Sequence, residues 1–360
     1  MTKPEGPLRC GWTTGACATA ATKAAYTALL THAFPDPVEI VLPRGERPRF
    51  ALARAERSAD SATAGIVKDA GDDPDVTHGA LILATVYHGA PGSGVNFRAG
   101  PGVGTVTKPG LPIAPGEPAI NPVPRQMMQA VVAEVAAAFG GSGDVVVEIA
   151  VPNGEALARK TWNPRLGIVG GLSILGTTGV VVPFSCSAWI HSIQRGVDVA
   201  RALGLAHVAG CTGSTSEGLV QRLYGLDESA LLDMGDFAGG LLKYLRRNPL
   251  PKLTIAGGFA KMVKLGQGAL DLHSGRSQVD PAWLAARLED LGADAALVDL
   301  ARTANTAKQV LDAARAAGLP LADAVASAAR RTALEVLDGA DVAVEVLVSD
   351  RNGALVGRAG

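Results

Sequence analysis

From residue 187 onward, short apolar runs alternate with stretches of helical spacing, and this alternation constrains the fold more than any other feature. SAWIHSIQRGVDVARALG (187–204) has apolar residues at helical intervals and ends on Gly204, a residue suited to the left-handed turn after a helix. AHVAG (206–210), LTIAG (253–257), DAALVDL (294–300) and VAVEVLVSD (342–350) read as strands. Helices are expected over 217–224, 236–247, 281–291 and 305–317, with two helices' worth of chain over 319–337. Strands this far apart are not hairpin partners, so they pair in parallel through right-handed helical crossovers. The second half is expected to be α/β, with a mainly parallel sheet.

The first half has a different texture. An alanine-rich stretch predicts a helix from about 16 to 30, because Ala is the best helix former and Thr13 or Thr14 suits its cap. Strand-like runs follow at 38–42, 49–56, 64–70 and 80–88, bounded by Gly, Pro and Asp turns. Residues 89–124 form a Gly/Pro-rich loop system, long enough to suggest a functional or flap-like segment. A helix over 125–139, a strand over 144–152 and one or two Gly-rich strands within 166–184 complete an α+β pattern. The change near residue 185 divides the 360 residues into domains 1–184 and 185–360.

Charge and composition exclude several functions. With 48% hydrophobic and 19% charged residues the chain is globular, not disordered. A net charge of −1 lacks the basic excess of a nucleic-acid binder, so any acidic ligand must be met by locally gathered cations. No apolar run reaches the roughly 18 residues of a membrane span, and MTKPEGPLRC has no signal-like core, so the cytoplasm is the expected location. Cys10, Cys17, Cys186 and Cys211 show no C-x-x-C spacing and read as reduced thiols; no metal site is expected.

Ligands of open α/β sheets bind beyond the carboxyl ends of the strands. In the second half, AHVAG runs into CTGSTSEG, LTIAG into GFAKMVKLGQG, and DAALVDL into ARTANTAK. Ser214 and Glu217 fit a capping box, which accounts for them without a ligand. Capping does not account for Gly210, Gly213 and Gly218 with Thr212, Thr215 and Ser216, which make a polar cradle of exposed backbone; Gly257 and Gly258 extend it. The spacing is neither a dinucleotide fingerprint nor a Walker A loop. Lys261 and Lys264 follow; such lysines are ordinarily a solvated face, but here they lie at a functional edge. ALDLHSGRS then places Asp271 beside His273, the histidine best placed of six for proton transfer.

In the first half, Thr13, Thr14 and Gly15 open the alanine-rich helix, where unpaired N–H groups would make an anion seat. Lys108, Arg125 and Arg165 lie in glycine-rich loops; each alone is an ordinary surface cation, and together they would neutralise a polycarboxylate. No hydrolase triad, H-E-x-x-H or EF-hand pattern is present.

Long stretches of the chain resemble the cobalt-precorrin-5B C-1-methyltransferase family, the CbiD family of anaerobic cobalamin biosynthesis. The residues are LRCGWTTGACATAATKAA, DVTHGA, GVGTVTKPGLPIAPGEPAINPVPRQM, VPNGEALARKTWNPRLGIVGGLSILGTTG, VPFSCSAWIHSI, MGDFAGGLLKYLRR, GCTGSTSEG and LTIAGGFAKMVKLGQGALDLHSGRSQVD, spread over residues 8 to 280. The resemblance implies methyl transfer from S-adenosylmethionine to C-1 of a cobalt-corrinoid, yielding cobalt-precorrin-6A. It also implies an N-terminal part with a ribosomal-protein-S5-like half and a Rossmann-like C-terminal part. It supplies no catalytic residue set, so the assignments come from the chain itself. His273 and Asp271 are the catalytic candidates. Gly210, Thr212, Gly213, Ser214, Thr215, Gly257 and Gly258 are assigned to the cofactor. Thr13, Thr14, Gly15, Lys108, Arg125, Arg165, Lys261 and Lys264 are assigned to the corrinoid. Cobalt arrives with the substrate. A homo-oligomer stays open, as do two other functions: a small-molecule kinase using GPGVGTVTKPG, and a corrinoid-binding protein without turnover.

Overall fold

Helix α1 (Thr14–Thr31) is buried along almost its whole length, which its composition permits. Ala16, Ala18, Ala20, Ala21, Ala24, Ala25 and Ala28 let neighbours approach closely, and Thr19 and Thr22 return their hydroxyls to the carbonyls four residues back, at 2.8 Å each. The computed structural model describes residues 6–360, and the chain falls into two units, Met1–Cys186 and Ser187–Gly360. In the first unit, α1 packs on strands β2 (Ser61–Val67) and β3 (Leu81–His88) and on helix α2 (Pro122–Phe139). With β1 (Arg54–Arg57), β4 (Val95–Ala99) and β5 (Val145–Ala150), the sheet order is β1-β2-β3-β5-β4, antiparallel except where β5 meets β4. Strand β4 lies inside the segment expected to be loop. The rest of that segment is organised too: Thr105–Val106 pairs with Ile168–Val169 over a small apolar cluster of Val106, Ile113, Ala119 and Ile168.

The second unit begins with α3 (Cys186–Ala202), then β6 (His207–Cys211), α4 (Ser214–Tyr224), β7 (Leu231–Asp233), α5 (Ala238–Leu245), β8 (Lys252–Gly258) and α6 (Phe259–Gly266). Helices α7 (Pro281–Asp290), α8 (Ala295–Thr303), α9 (Ala307–Ala316) and α10 (Leu321–Leu337) precede β9 (Ala343–Ser349) and β10 (Leu355–Ala359). The sheet order is β7-β6-β8-β9-β10, parallel throughout except for β10. The fold is mixed α/β with a parallel-rich sheet, as the alternation of runs requires.

Several parts differ from expectation. Residues 319–337 carry a single helix, α10, where two helices' worth of chain is expected, and Leu355–Ala359 adds a strand, β10, that is not expected. DAALVDL is helix α8, not a strand: Asp294 caps it through Leu297 N at 2.8 Å, and Leu297, Val298 and Ala301 make one buried face at helical spacing. ARTANTAK is therefore not a strand-end loop. Conversely, LLD forms β7, a strand too short to show a period. Among the described residues, helix α4 covers one face of the sheet, over Ala209, Cys211, Leu231, Ala256 and Leu347. The other face carries α3, α5, α6 and α10 over a core that includes Leu232, Leu253, Ile255 and Val346. Each fully buried Leu or Ile there contributes roughly 1.5–3 kcal/mol.

Candidate functional site

In the second unit, β6 runs first, β7 joins on one side and β8 on the other, so the strand order reverses between β6 and β8. Crossovers leave such a pair toward opposite faces and open a crevice at their carboxyl ends. The residues there are Thr212 and Gly213 after β6, and Gly257 and Gly258 at the end of β8.

Gly213 is the cap residue of α4, at φ 155° and ψ 176°, backbone that an L side chain rarely adopts. Having no side chain, it leaves α4 without a side-chain cap; Ser214 is the first helical residue, so the expected Ser214–Glu217 capping box does not form. Ser216 donates its hydroxyl to Gly213 O at 2.7 Å, while Ser214 and Thr215 are exposed on the first turn. Across the crevice, Gly258 caps α6, also without a side-chain bond. Its φ of −66° suits any residue, and a Cβ there would meet no protein atom within 4 Å. Neither backbone nor packing accounts for glycine at this place; the close approach of a ligand would. Gly257 differs, since a Cβ would lie 2.8 Å from Thr212 Cγ2 and 2.7 Å from Met262 Cε. Gly210 is a packing glycine below the crevice, its missing Cβ replaced by Leu241 and Met234.

Lys261 binds the edge together. Its Nζ donates to Thr212 O at 3.0 Å and lies 3.1 Å from Asp236 Oδ1, in the loop after β7. Asp236 Oδ1 is buried and accepts no hydrogen bond from the described residues, so the ammonium charge is what compensates it. Lys264, one helical turn on, points inward instead: it is 7% exposed and donates to Leu272 O at 3.0 Å. That contact, with Leu272 N donating to Asp236 O at 2.8 Å, seats the DLHSGRS loop against the same edge. Asp271 Oδ1 accepts from the backbone N of His273 at 3.1 Å. Gly275 N donates to His273 Nδ1 at 3.1 Å, which assigns the ring proton to Nε2 on an exposed side chain.

The sequence did not single out Asp233, Asp236 or Trp189. Trp189 Nε1 donates to Asp233 O at 3.1 Å, and its ring stands 6.4 Å from that of Phe237. The only available signal was the pair of acids in LLDMGD, which has meaning only once LLD is known to be the second strand of the sheet.

In the first unit the TTG turn is not an open anion seat, because its polar groups are engaged internally. Thr13 Oγ1 accepts from Ala16 N at 3.1 Å, Gly15 N donates to Leu175 O at 2.9 Å, and Thr14 Oγ1 accepts from Leu175 N at 2.9 Å. Arg125 braces the loop before α2, donating to Ile120 O at 2.8 Å and Pro118 O at 3.1 Å while its guanidinium covers the Phe97 ring. Lys108 lies along Gly167, and Arg165 sits over Trp162 with its Cζ 5.5 Å from the ring centroid. All three cations border the loops around Val106 and Ile168.

Family models cover most of this chain: that described as CbiD matches residues 1–183, and that described as CbiD, C-terminal domain, matches 271–360. The chain belongs to the CbiD family. Relatives bear this out over nearly the full length. A cobalt-precorrin-5B C(1)-methyltransferase of Paramagnetospirillum magneticum is 65% identical over 99% of both chains. One of the same name from Bradyrhizobium is 65% identical over 98% of this chain and 94% of its own, and one from Brucella anthropi 63% over 98% and 96%. The crystal structure of a cobalamin biosynthesis protein (cbiD) from Archaeoglobus fulgidus is 27% identical, covering 77% of this chain and 86% of its own, with a TM-score of 0.41.

Proposed function

We propose that this CbiD-family chain methylates C-1 of cobalt-precorrin-5B, with S-adenosylmethionine as the donor, giving cobalt-precorrin-6A. The identity with relatives of that name, over almost the entire chain, supports the reaction. The donor is assigned to the crevice between Gly213 and Gly258. The observation that carries this placement is Gly258, whose missing side chain leaves open space at the point where the strand order reverses.

When bound, the donor supplies an activated sulfonium methyl, so the chain's work is chiefly alignment and charge compensation. Backbone N–H groups at the starts of α4 and α6 would hold the polar ends of the donor. Lys261 holds the loops after β6 and β7 in register with α6. His273, exposed at the same edge, is the side chain assigned to proton transfer, with Asp271 setting the backbone that presents it. Loops of the first unit carrying Lys108, Arg125 and Arg165 are assigned to the acidic rim of the macrocycle. Calorimetry with S-adenosylhomocysteine tests the placement: Gly258→Leu should abolish binding while leaving the melting temperature unchanged. Undiminished binding by that variant would place the donor elsewhere.

A further inference from the structure

A nucleoside-bearing donor presents two ribose hydroxyls, which an ionised carboxylate accepts best, whereas the backbone N–H groups at the starts of α4 and α6 only donate. We propose that Asp233 is this acceptor and reads the ribose diol; the inference rests on the donor lying in the crevice described above. Asp233 ends β7 and pairs in parallel register with Cys211, the last residue of β6 before the Thr212–Gly213 turn. Paired residues of neighbouring strands share a face of the sheet. Cys211 and Leu231 both pack on the α4 side, and Leu232 packs on the other, so the alternation places Asp233 on the α4 side. That is the side on which α4 opens at Gly213 without a side-chain cap.

The backbone around this carboxylate is fixed from two directions. Met234 N and Gly235 N both donate to Cys211 O, at 3.0 and 3.2 Å, and Trp189 Nε1 donates to Asp233 O at 3.1 Å. A Cβ at Gly235 would touch the Trp189 ring at 3.4 Å, so the indole lies flush against the turn. Asp236 is a different kind of group: its carboxylate pairs with Lys261 on α6, in the layer opposite α4. The spacing agrees as well. Asp233 follows the Gly213 turn by about 20 residues, the interval at which dinucleotide folds place the acid that takes a ribose hydroxyl. An ionised carboxylate suits a vicinal diol because its two oxygens accept both hydroxyl protons, which sets selectivity more than it sets rate.

The test compares S-adenosylhomocysteine with its 2′-deoxy and 3′-deoxy analogues by calorimetry, on the full chain and on Asp233→Asn, Asp233→Ala and Asp236→Asn. The unaltered protein should prefer the full ribose by about 10- to 100-fold. Asp233→Asn and Asp233→Ala should lose most of that preference through weaker binding of S-adenosylhomocysteine, with the deoxy analogues held as before. Circular dichroism of both variants keeps a folding defect from imitating this result. A preference that survives in both Asp233 variants, or one that collapses in Asp236→Asn instead, overturns the assignment. Binding of S-adenosylhomocysteine that Gly258→Leu leaves intact would overturn the placement of the donor itself, a separate failure.

Discussion

Lys261 Nζ donates to the carbonyl of Thr212 at 3.0 Å, so a side chain of the helix after β8 holds the turn that follows β6. The same ammonium faces Asp236 Oδ1 at 3.1 Å, which brings in the loop after β7. One cation thus joins the ends of three neighbouring strands where their order reverses. Lys261→Met should leave Asp236 without its counter-charge and release Thr212. Asp236 Oδ1 would stay buried without its counter-charge while the rest of its side chain is partly solvated, so the stability loss should be about 1–3 kcal/mol. The affinity for S-adenosylhomocysteine should fall about tenfold, since the crevice walls lose register. Thermal denaturation and calorimetry read the two effects apart; a lowered melting temperature with unchanged affinity would reduce Lys261 to a brace.

Gly257 and Gly258 are adjacent and should respond oppositely to the same change. Gly257→Ala drives a methyl group to 2.7 Å from Met262 Cε and 2.8 Å from Thr212 Cγ2, so the Thr212 turn must move. Overpacking of this kind costs about 1–3 kcal/mol. Gly258→Ala meets no protein atom within 4 Å and keeps an ordinary φ of −66°, so stability should not change while donor affinity falls. Paired melting curves and binding isotherms check this, and equal stability losses at both positions would contradict it.

The second unit was legible because crossover strands and helices leave opposite periodicities in a sequence. Its misreadings have physical causes. DAALVDL is apolar enough for either state, and only the Asp294 side chain bonding Leu297 N decides for helix. Strand β7 has three residues and no period, yet it makes β6 an interior strand and places Asp233 beside the crevice. Gly213 and Gly258 were readable as exposed backbone, but Gly210 and Gly257 were not separable from them; only packing distinguishes a glycine under a leucine from one facing a ligand. Lys264 and Arg125 read as free cations, whereas both donate to backbone carbonyls. Sequence records charge, and it is the tertiary structure that decides where the charge points.

Glu345 gives the second unit a defined response to pH. It is buried in β9, and burial pushes its carboxyl up. Hydrogen bonds from Tyr224, Thr254 and Arg358, with the charge of Lys252, outweigh that and hold it below the ordinary 4.5. A carboxylate with a depressed folded-state pKa adds stability that is fully present above its unfolded value and is lost as pH falls through the folded one. The melting temperature should therefore decline as pH drops below 4.5, and Glu345→Gln should flatten that decline while lowering the value at pH 7. Tyr224 supplies the alkaline arm. Burial first, and then its bond to Glu345, push the phenol up to about 12, so its contribution should fade as pH rises from 10 toward 12. Denaturation curves across both windows test the pair, and a Glu345→Gln profile parallel to that of the unaltered protein below pH 4.5 would rule out this coupling.

Thr14 separates a structural cap from a ligand seat. The residue is 3% exposed, and its hydroxyl accepts from Leu175 N at 2.9 Å and lies 3.3 Å from Leu175 O, so it sews the start of α1 to the strand-like segment before the GTTG turn. Thr14→Val keeps the shape of the side chain and removes only these bonds. Leu175 N is then left unpaired next to a buried methyl group, which costs about 1–3 kcal/mol. Thr14→Ser keeps the hydroxyl and should recover most of that loss. An anion seat would behave otherwise: Val would weaken binding of the corrinoid at nearly constant stability. Because Gly15 N, Ala16 N and Cys17 N already have partners within the chain, the expected outcome is a lowered melting temperature with corrinoid affinity, per folded molecule, close to that of the unaltered protein. A binding loss without a stability loss would return the turn to the substrate.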